Sequence, residues 1–246
     1  MSVDKLNQNE VSKVNLDLYL KELAKEFKKL NGSKMYVEII LVGGAAVLAN
    51  YSFRKSTGDV DAIILAPSAM KDAADAVGDK FGLQPNWFNM DFKKTKSYSD
   101  KLREISVYYK TFSNIFNVRT ITSEYLIAMK LMAGRDYKHD LSDIVGIFYE
   151  QQEKGNPIKP ESIKDAVATL YGSWENLPKD SIEFINMVYE CNDYKALFFK
   201  IKNEEEEARE ILATFSKDNP KVITRENINT LVKQLRKKIN PGNDVG

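Results

Sequence analysis

Residues 37–65 read VEIILVGGAAVLANYSFRKSTGDVDAIIL, and this stretch decides the fold. It opens with an apolar run rich in β-branched side chains, which predicts a buried strand. The run ends at Gly43 and Gly44, where the backbone can turn sharply and approach a ligand closely because neither residue has a Cβ. A short helix and a loop follow, and the apolar run from Val60 to Leu65 predicts a second strand. The stretch therefore predicts a mixed α/β unit built around a glycine turn.

Two aspartates lie at the start of this second predicted strand. Asp59 and Asp61 are two residues apart, so on a strand both carboxylates point to the same face. Their charges repel each other unless a cation lies between them. A hard divalent cation such as Mg²⁺ binds carboxylate oxygens and substrate phosphates together. The pattern therefore indicates a metal site for phosphate chemistry, and the alternative is a tight turn followed by an aspartate-rich strand start.

The glycine pair followed by Asp-x-Asp on the next strand resembles the nucleotidyltransferase superfamily of the DNA polymerase β type. The segment GGAAVLANYSFRKSTGDVD resembles in particular the branch of the abortive-infection AbiEii proteins and their bacterial relatives. In that branch an arginine and Ser/Thr residues precede the aspartates, as Arg54, Ser56 and Thr57 do here. A second block, LIAMKLMAGRDYKHDLSDI at residues 126–144, resembles the lysine motif and the Asp-x-x-Asp motif of the same branch.

The resemblance implies transfer of a nucleotide from an NTP to an acceptor hydroxyl, with Mg²⁺ or Mn²⁺ as cofactor. Asp59 and Asp61 would hold the metal, while the glycines would present backbone N–H groups to the triphosphate. The implied catalytic residues are Asp59, Asp61, Lys130 and Asp140, and the implied nucleotide-binding residues are Gly43, Gly44, Arg54, Ser56, Thr57, Arg135 and Asp143. The branch also implies RNA or tRNA as acceptor, and a toxin–antitoxin or phage-defence role with a cognate antitoxin as partner.

Lys130 lies in an apolar helical segment, where a lysine is costly to bury unless it is paired. We expect it to contact triphosphate or a carboxylate, and its apolar stem predicts that Lys130→Met keeps the fold. The alternative is a lysine whose stem covers the core while its ammonium reaches water.

Asp140 and Asp143 share one helix face. The resemblance implies that Asp140 acts near the metal or as a base, and that Asp143 holds Lys130 or Arg135 in place. The alternative is a pair of acids favoured by the helix dipole. Arg135 either reaches phosphate or caps a helix C-terminus.

A third carboxylate, which the superfamily carries on a later strand, is missing from the predicted strand at residues 116–120. Glu104, just before a strand predicted to start at Ile105, is a possible stand-in. A missing third carboxylate would favour a catalytically inactive nucleotide- or RNA-binding module, or the partner-binding half of a two-component system. Trp87 and Asn89 resemble a W-x-N feature of close relatives, to which we assign no role.

The chain has 246 residues, a net charge of +1 and one cysteine, Cys191. No global basic field indicates nucleic acid, and a single cysteine excludes an intrachain disulfide. No apolar run approaches the ~20 residues that span a membrane, so we expect a cytoplasmic protein with no membrane partner. Strand patterns disappear after the polar stretch at residues 153–157. This predicts a nucleotidyltransferase-like domain at residues 1–153 and a C-terminal helical bundle domain at residues 154–246.

Two charged runs lie in the predicted helical domain. The acidic run Glu204–Glu207 is most simply a solvated helix face. Lys233, Arg236, Lys237 and Lys238 give the last helix a basic end, which either meets phosphates or complements the helix dipole.

Overall fold

The computed structural model describes residues 10–32, 34–65, 69–135, 138–219, 222–224 and 227–239. The chain divides into two compact units, each built from two segments. The first comprises residues 1–129 and 158–176, and the second comprises residues 130–157 and 177–246. The domain boundary predicted at residue 153 stays a prediction. In the described ranges, no helix is both long enough and apolar enough to cross a membrane.

The elements follow in chain order. The N-terminal half contains β1 (Val11–Ser12), α1 (Lys13–Asn31), β2 (Val37–Leu41), α2 (Gly43–Asn50), β3 (Ser56–Thr57), β4 (Val60–Leu65), α3 (Met70–Phe81), β5 (Phe88–Asn89), a 3-10 helix (Asp91–Lys94), α4 (Leu102–Ile105), β6 (Val107–Phe112) and β7 (Phe116–Thr120). The rest is helical, with α5 (Ser123–Ala133), α6 (Asp140–Glu153), α7 (Pro160–Tyr171), a 3-10 helix (Trp174–Asn176), α8 (Lys179–Tyr189), α9 (Tyr194–Asp218) and α10 (Ile228–Ile239).

A five-stranded mixed sheet forms the centre of the first unit, in the order β5-β4-β2-β7-β6. β2 pairs antiparallel with β4 and parallel with β7, so the two strands predicted around the glycine turn are direct neighbours. Ile39, Ile40 and Leu41 of β2 are fully buried because β2 is the central strand. The predicted mixed α/β fold with flanking helices and a helical C-terminal region is confirmed.

Helix α1 shows how the sequence pattern places the flanking helices. Leu16, Leu20 and Phe27 recur at helical spacing in the sequence, and the apolar stripe that they form is buried. Ser12 caps its first turn, and Gly32 ends it with φ of +79°. Glu22 ties α1 to α3 through an ion pair with Lys80.

Some predicted boundaries differ from the structure or lie outside the described residues. Ile105 ends helix α4, and the strand begins only at Val107, so the strand start predicted at Ile105 is wrong. Alternation alone does not distinguish a strand start from one helical turn that leads into it. In the sequence, Pro67-Ser68 predicts a helix start and Pro241-Gly242 predicts a helix end, and both pairs lie outside the described residues.

Charged side chains hold the helices of the second unit together. Lys233 of α10 pairs with Asp180 of α8, and Arg236 donates to the backbone carbonyl of Glu204. Within this unit both cations therefore have structural contacts, whereas the side chains of Lys237 and Lys238 lie outside the described residues. The interpretation of Glu204–Glu207 as wholly solvated is wrong for Glu205, which is buried.

Candidate functional site

The turn between β2 and α2 lies directly against Asp61 of β4. Gly43 begins α2 with φ of +56°, and a Cβ placed on it would lie 3.3 Å from Oδ2 of Asp61. The Val42 N–H donates to the Asp61 carbonyl oxygen at 3.1 Å, which fixes the two strands side by side. The left-handed backbone and the close approach both favour glycine at this position. The fold therefore places Gly43 against Asp61, two of the predicted site residues.

Asp61 lies in β4, whereas Asp59 lies in the bend directly before this strand, so the shared face expected for the two carboxylates stays a prediction. Asn89 of β5 is the register partner of Asp61 in a parallel pair. Its Nδ2 donates to Oδ2 of Asp59 at 3.2 Å. Asn89 is therefore paired with Asp61 in the sheet and hydrogen-bonded to the Asp59 carboxylate. Sequence reasoning gave Asn89 no role, although the W-x-N pattern at residues 87–89 marked it.

Arg54 and Thr57 lie against the second glycine. A Cβ on Gly44 would lie 2.7 Å from Oγ1 of Thr57 and 3.1 Å from Nη2 of Arg54. Arg54 Nε also donates to the Ser56 carbonyl oxygen at 3.1 Å, which fixes the guanidinium near the start of α2. The Ser56 hydroxyl donates to Glu10 at 2.6 Å. The structure thus brings Gly43, Gly44, Arg54, Thr57 and Asp61 together, with Ser56 contributing its backbone.

The donor set at this site fits a hard cation with two protein carboxylates. In the part of the chain that the structure describes, no group of three or more His, Cys, Asp or Glu residues is arranged to hold a metal ion. Glu104 is exposed on α4 and contacts Lys101 at 3.4 Å. The suggestion that Glu104 completes a three-carboxylate cluster is therefore wrong. Mg²⁺ is commonly held by one or two carboxylates plus substrate phosphates and water, so Asp59 and Asp61 suffice as protein ligands.

A buried ion network connects α5 to α6 in the second unit. Lys130 Nζ lies 2.8 Å from Oδ1 of Asp140 and 2.7 Å from Oδ2 of Asp143. The Lys130 side chain is only 7% exposed, so its ammonium is paired inside the protein and does not reach open solvent. Arg135 Nε binds the other oxygen of Asp140 at 2.6 Å. The network pairs three buried charges with one another and with the half-buried Arg135, and such pairing is the condition for burying charges.

Asp140 is held in its ionised form. Burial raises the pKa of this carboxyl, but the charges and hydrogen bonds of Lys130 and Arg135 more than offset that effect, so its pKa lies well below the usual range. A carboxylate with such a low pKa is a weak proton acceptor at neutral pH. In this arrangement Asp140 positions Lys130 and Arg135, and the roles toward nucleotide inferred for Lys130, Arg135, Asp140 and Asp143 stay predictions.

Glu205 of α9 caps the N-terminus of α6 and was missed by sequence reasoning. Its Oε1 accepts from the backbone N–H groups of Leu141 at 3.0 Å and Ser142 at 3.2 Å. A carboxylate at a helix N-terminus satisfies orphan N–H donors and opposes the positive end of the helix dipole. A signal did exist, because Glu205 lies in helical register with Ile201 and Ala208, which are buried.

Substituting Gly43 tests the contact with Asp61. We expect Gly43→Ala to lower the free energy of unfolding by about 1–2 kcal/mol because alanine is strained at positive φ. We expect it also to reduce nucleotide transfer about tenfold or more, because the new methyl group displaces the Asp61 carboxylate. Gly82→Ala is the matched control, since Gly82 has φ of +64° and open space around it. Urea unfolding and initial rates measure both effects, and equal activity in the two variants contradicts the site assignment.

Comparison with known proteins adds one match. Residues 19–150 match the family model DUF6036, described as a nucleotidyltransferase of unknown function. The matched range includes the glycine turn, Asp59, Asp61 and the Lys130 network. The chain matches no curated protein and no solved structure. Because the family model covers more than half of its residues, the chain belongs to the DUF6036 family of nucleotidyltransferases of unknown function.

Proposed function

We propose that this nucleotidyltransferase uses Mg²⁺ to transfer a nucleotide from an NTP to an acceptor hydroxyl at the β2–α2 turn. The observation that carries the proposal is the approach of Gly43 to the Asp61 carboxylate, at 3.3 Å from a Cβ placed on the glycine. With Asp59 two residues before Asp61, this arrangement would combine a phosphate-binding turn with two carboxylates for the metal.

The start of α2 supplies the phosphate-binding groups. The N-cap residue, Val42, makes no side-chain hydrogen bond to the first turn, and we propose that the first backbone N–H groups of the helix bind the anion. Arg54 lies beside Gly44 and adds a charged donor for a phosphate oxygen. Because the two glycines have no Cβ, the side chains of Arg54, Thr57 and Asp61 can lie directly against the turn.

Asp59 and Asp61 would hold the metal, and the hydrogen bond from Asn89 would help to fix the Asp59 carboxylate. When bound, Mg²⁺ neutralises charge on the transferred phosphate and lowers the pKa of the attacking hydroxyl. The residues themselves would bind the triphosphate and orient it at the turn. Such positioning and electrostatic stabilisation are the main requirements of phosphoryl-type transfer.

RNA is the acceptor that we propose, and tRNA is the candidate within that class. The biological role that we propose is that of a toxin controlled by a cognate antitoxin. Both rest on the resemblance of the GGAAVLANYSFRKSTGDVD segment to the AbiEii branch. Fold and family alone do not fix an acceptor, so these parts need their own test.

Transfer assays with each labelled NTP, total cellular RNA and either Mg²⁺ or Mn²⁺ test the proposal. We expect label from one NTP to appear in RNA, and a chelator to prevent the reaction. The RNA fraction that carries the label identifies the acceptor. If no NTP is consumed with either metal, and neither RNA nor a cellular protein extract becomes labelled, the proposal fails.

A catalytically inactive nucleotide-binding module is the second candidate. The observation that favours it is the presence of two carboxylates where the superfamily has three. Calorimetry separates the two functions, because an inactive module binds NTP at the β2–α2 turn but leaves it unchanged over long incubation.

A further inference from the structure

A cavity of about 460 Å³ opens in the first unit at the end of the sheet remote from Gly43. Tyr36 and Glu38 line it beside the start of β2, Leu65 at the end of β4, Arg103 on α4 and Asn117 on β7. Glu38 is the register partner of both Leu65 and Asn117, so these three residues share one sheet face. The volume is in the range of small-molecule sites, about 300–1,000 Å³.

The cavity is separate from the Asp59–Asp61 site. Leu65 lies four residues along β4 from Asp61, which corresponds to about 13 Å on the same sheet face. Ile63 lies between them on that face and is buried. Protein therefore covers the sheet between the two sites, and one small ligand does not fill both.

Glu38 offers an incompletely satisfied carboxylate inside the cavity. Its neighbours are Nδ2 of Asn117 at 3.5 Å, Nε of Arg103 at 3.7 Å and Nη1 of Arg119 at 3.9 Å. Charge-assisted hydrogen bonds are normally about 2.7–2.9 Å long, so these contacts attract the carboxylate without saturating it. A ligand with N–H donors can therefore bind Glu38 without first breaking strong hydrogen bonds.

The rim of the cavity adds an aromatic face and a cation. Tyr36 is 77% exposed, so its ring is accessible to a ligand. The Arg103 side chain is also largely exposed. A matching ligand thus has a flat ring for Tyr36, adjacent N–H donors for Glu38 and a negative group for Arg103.

We propose that this cavity binds a guanine nucleotide, with Glu38 contacting the base, Tyr36 stacking on it and Arg103 binding the phosphate. Guanine presents two adjacent N–H donors on its Watson–Crick edge, whereas adenine presents a donor next to an acceptor. A peptide arginine also carries paired donors, but Arg103 and Arg119 beside a single carboxylate repel another cation. Binding needs neither the metal nor Asp61, so this proposal is independent of the proposed catalytic activity.

Calorimetry of the full chain with GMP and AMP in a chelator, without divalent metal, tests the site. We expect GMP to bind at least about tenfold more tightly than AMP, and Tyr36→Ala to weaken GMP binding about tenfold, as loss of one stacked base does. Glu38→Gln should remove the preference for GMP. Tyr108→Ala is the matched control, since Tyr108 is an exposed tyrosine outside the cavity, and it should bind as the parent does.

The outcomes separate this site from the catalytic one. Asp61→Ala should leave GMP binding unchanged, and loss of binding in that variant overturns the proposal. Equal affinity for GMP and AMP, unaltered binding in Tyr36→Ala, or binding of arginine amide instead of GMP also overturns it. The trinucleotide UGU distinguishes two sources of the same base. If UGU binds tenfold more tightly than GMP, the ligand is a guanine within an RNA strand. If UGU and GMP bind equally, the ligand is the free nucleotide. Both outcomes support the site.

Discussion

Asp61→Asn is expected to lower the rate of nucleotide transfer by about a hundredfold to a thousandfold, the usual cost of removing one group that stabilises transition-state charge. The amide keeps the shape of the side chain but loses the negative charge that would hold the proposed Mg²⁺. The backbone bond from Val42 to the carbonyl of residue 61 does not involve the side chain, so the fold should be retained. Initial rates at saturating NTP and Mg²⁺ measure the effect.

Asp75→Asn is the control for this substitution. Asp75 is an exposed acid on α3 in the same unit, so the variant removes the same charge away from the glycine turn. We expect its activity to match the parent within about twofold, because surface substitutions of this kind usually have effects below about 0.5 kcal/mol. Activity in Asp61→Asn equal to that of Asp75→Asn would remove Asp61 from the site.

Lys130→Met is expected to lower the free energy of unfolding by about 3–5 kcal/mol, the cost of breaking a buried ion pair from one side. The lysine stem alone led to the expectation that methionine would preserve the fold. The structure changes that expectation, because the Lys130 ammonium contacts Asp140 and Asp143 in the interior. Urea unfolding followed by circular dichroism measures the loss.

Two further variants show whether the buried charge is the cause. Lys154→Met removes a lysine from a surface ion pair of the same unit, where the side chain is 51% exposed, and should cost at most about 1 kcal/mol. Combining Lys130→Met with Asp143→Leu should restore most of the stability, because Asp140 keeps Arg135. If the double variant is no more stable than Lys130→Met, the loss comes from packing.

The glycine turn could be predicted because all its signals are local. Within thirty positions the chain has an apolar run, two glycines and a second apolar run. Each of these patterns directly indicates the local backbone structure that it forms. The contact of Asn89 with Asp59 joins residues 30 apart in sequence. It depends on the parallel pairing of β4 and β5, which no local pattern encodes.

Burial of charged residues was the least predictable feature. Lys130 was marked by its apolar neighbours, and its partners were among the residues already singled out. Glu205 stands in a run of four glutamates, and composition favours solvent exposure for all of them. Only its position on the same helix stripe as Ile201 distinguishes it, and its partners are the backbone N–H groups of another helix.

The cap that Glu205 places on α6 also has a consequence for the order in which the protein forms. Ser142 and Glu205 are 63 residues apart, so at typical rates of synthesis the ribosome delivers the cap about 3–13 seconds after the helix start that needs it. Phe148 of α6 packs against Tyr194 of α9, which is also synthesised later. During this interval the nascent chain presents an uncapped and uncovered α6, and this is the stage of biogenesis at which chaperones would meet it.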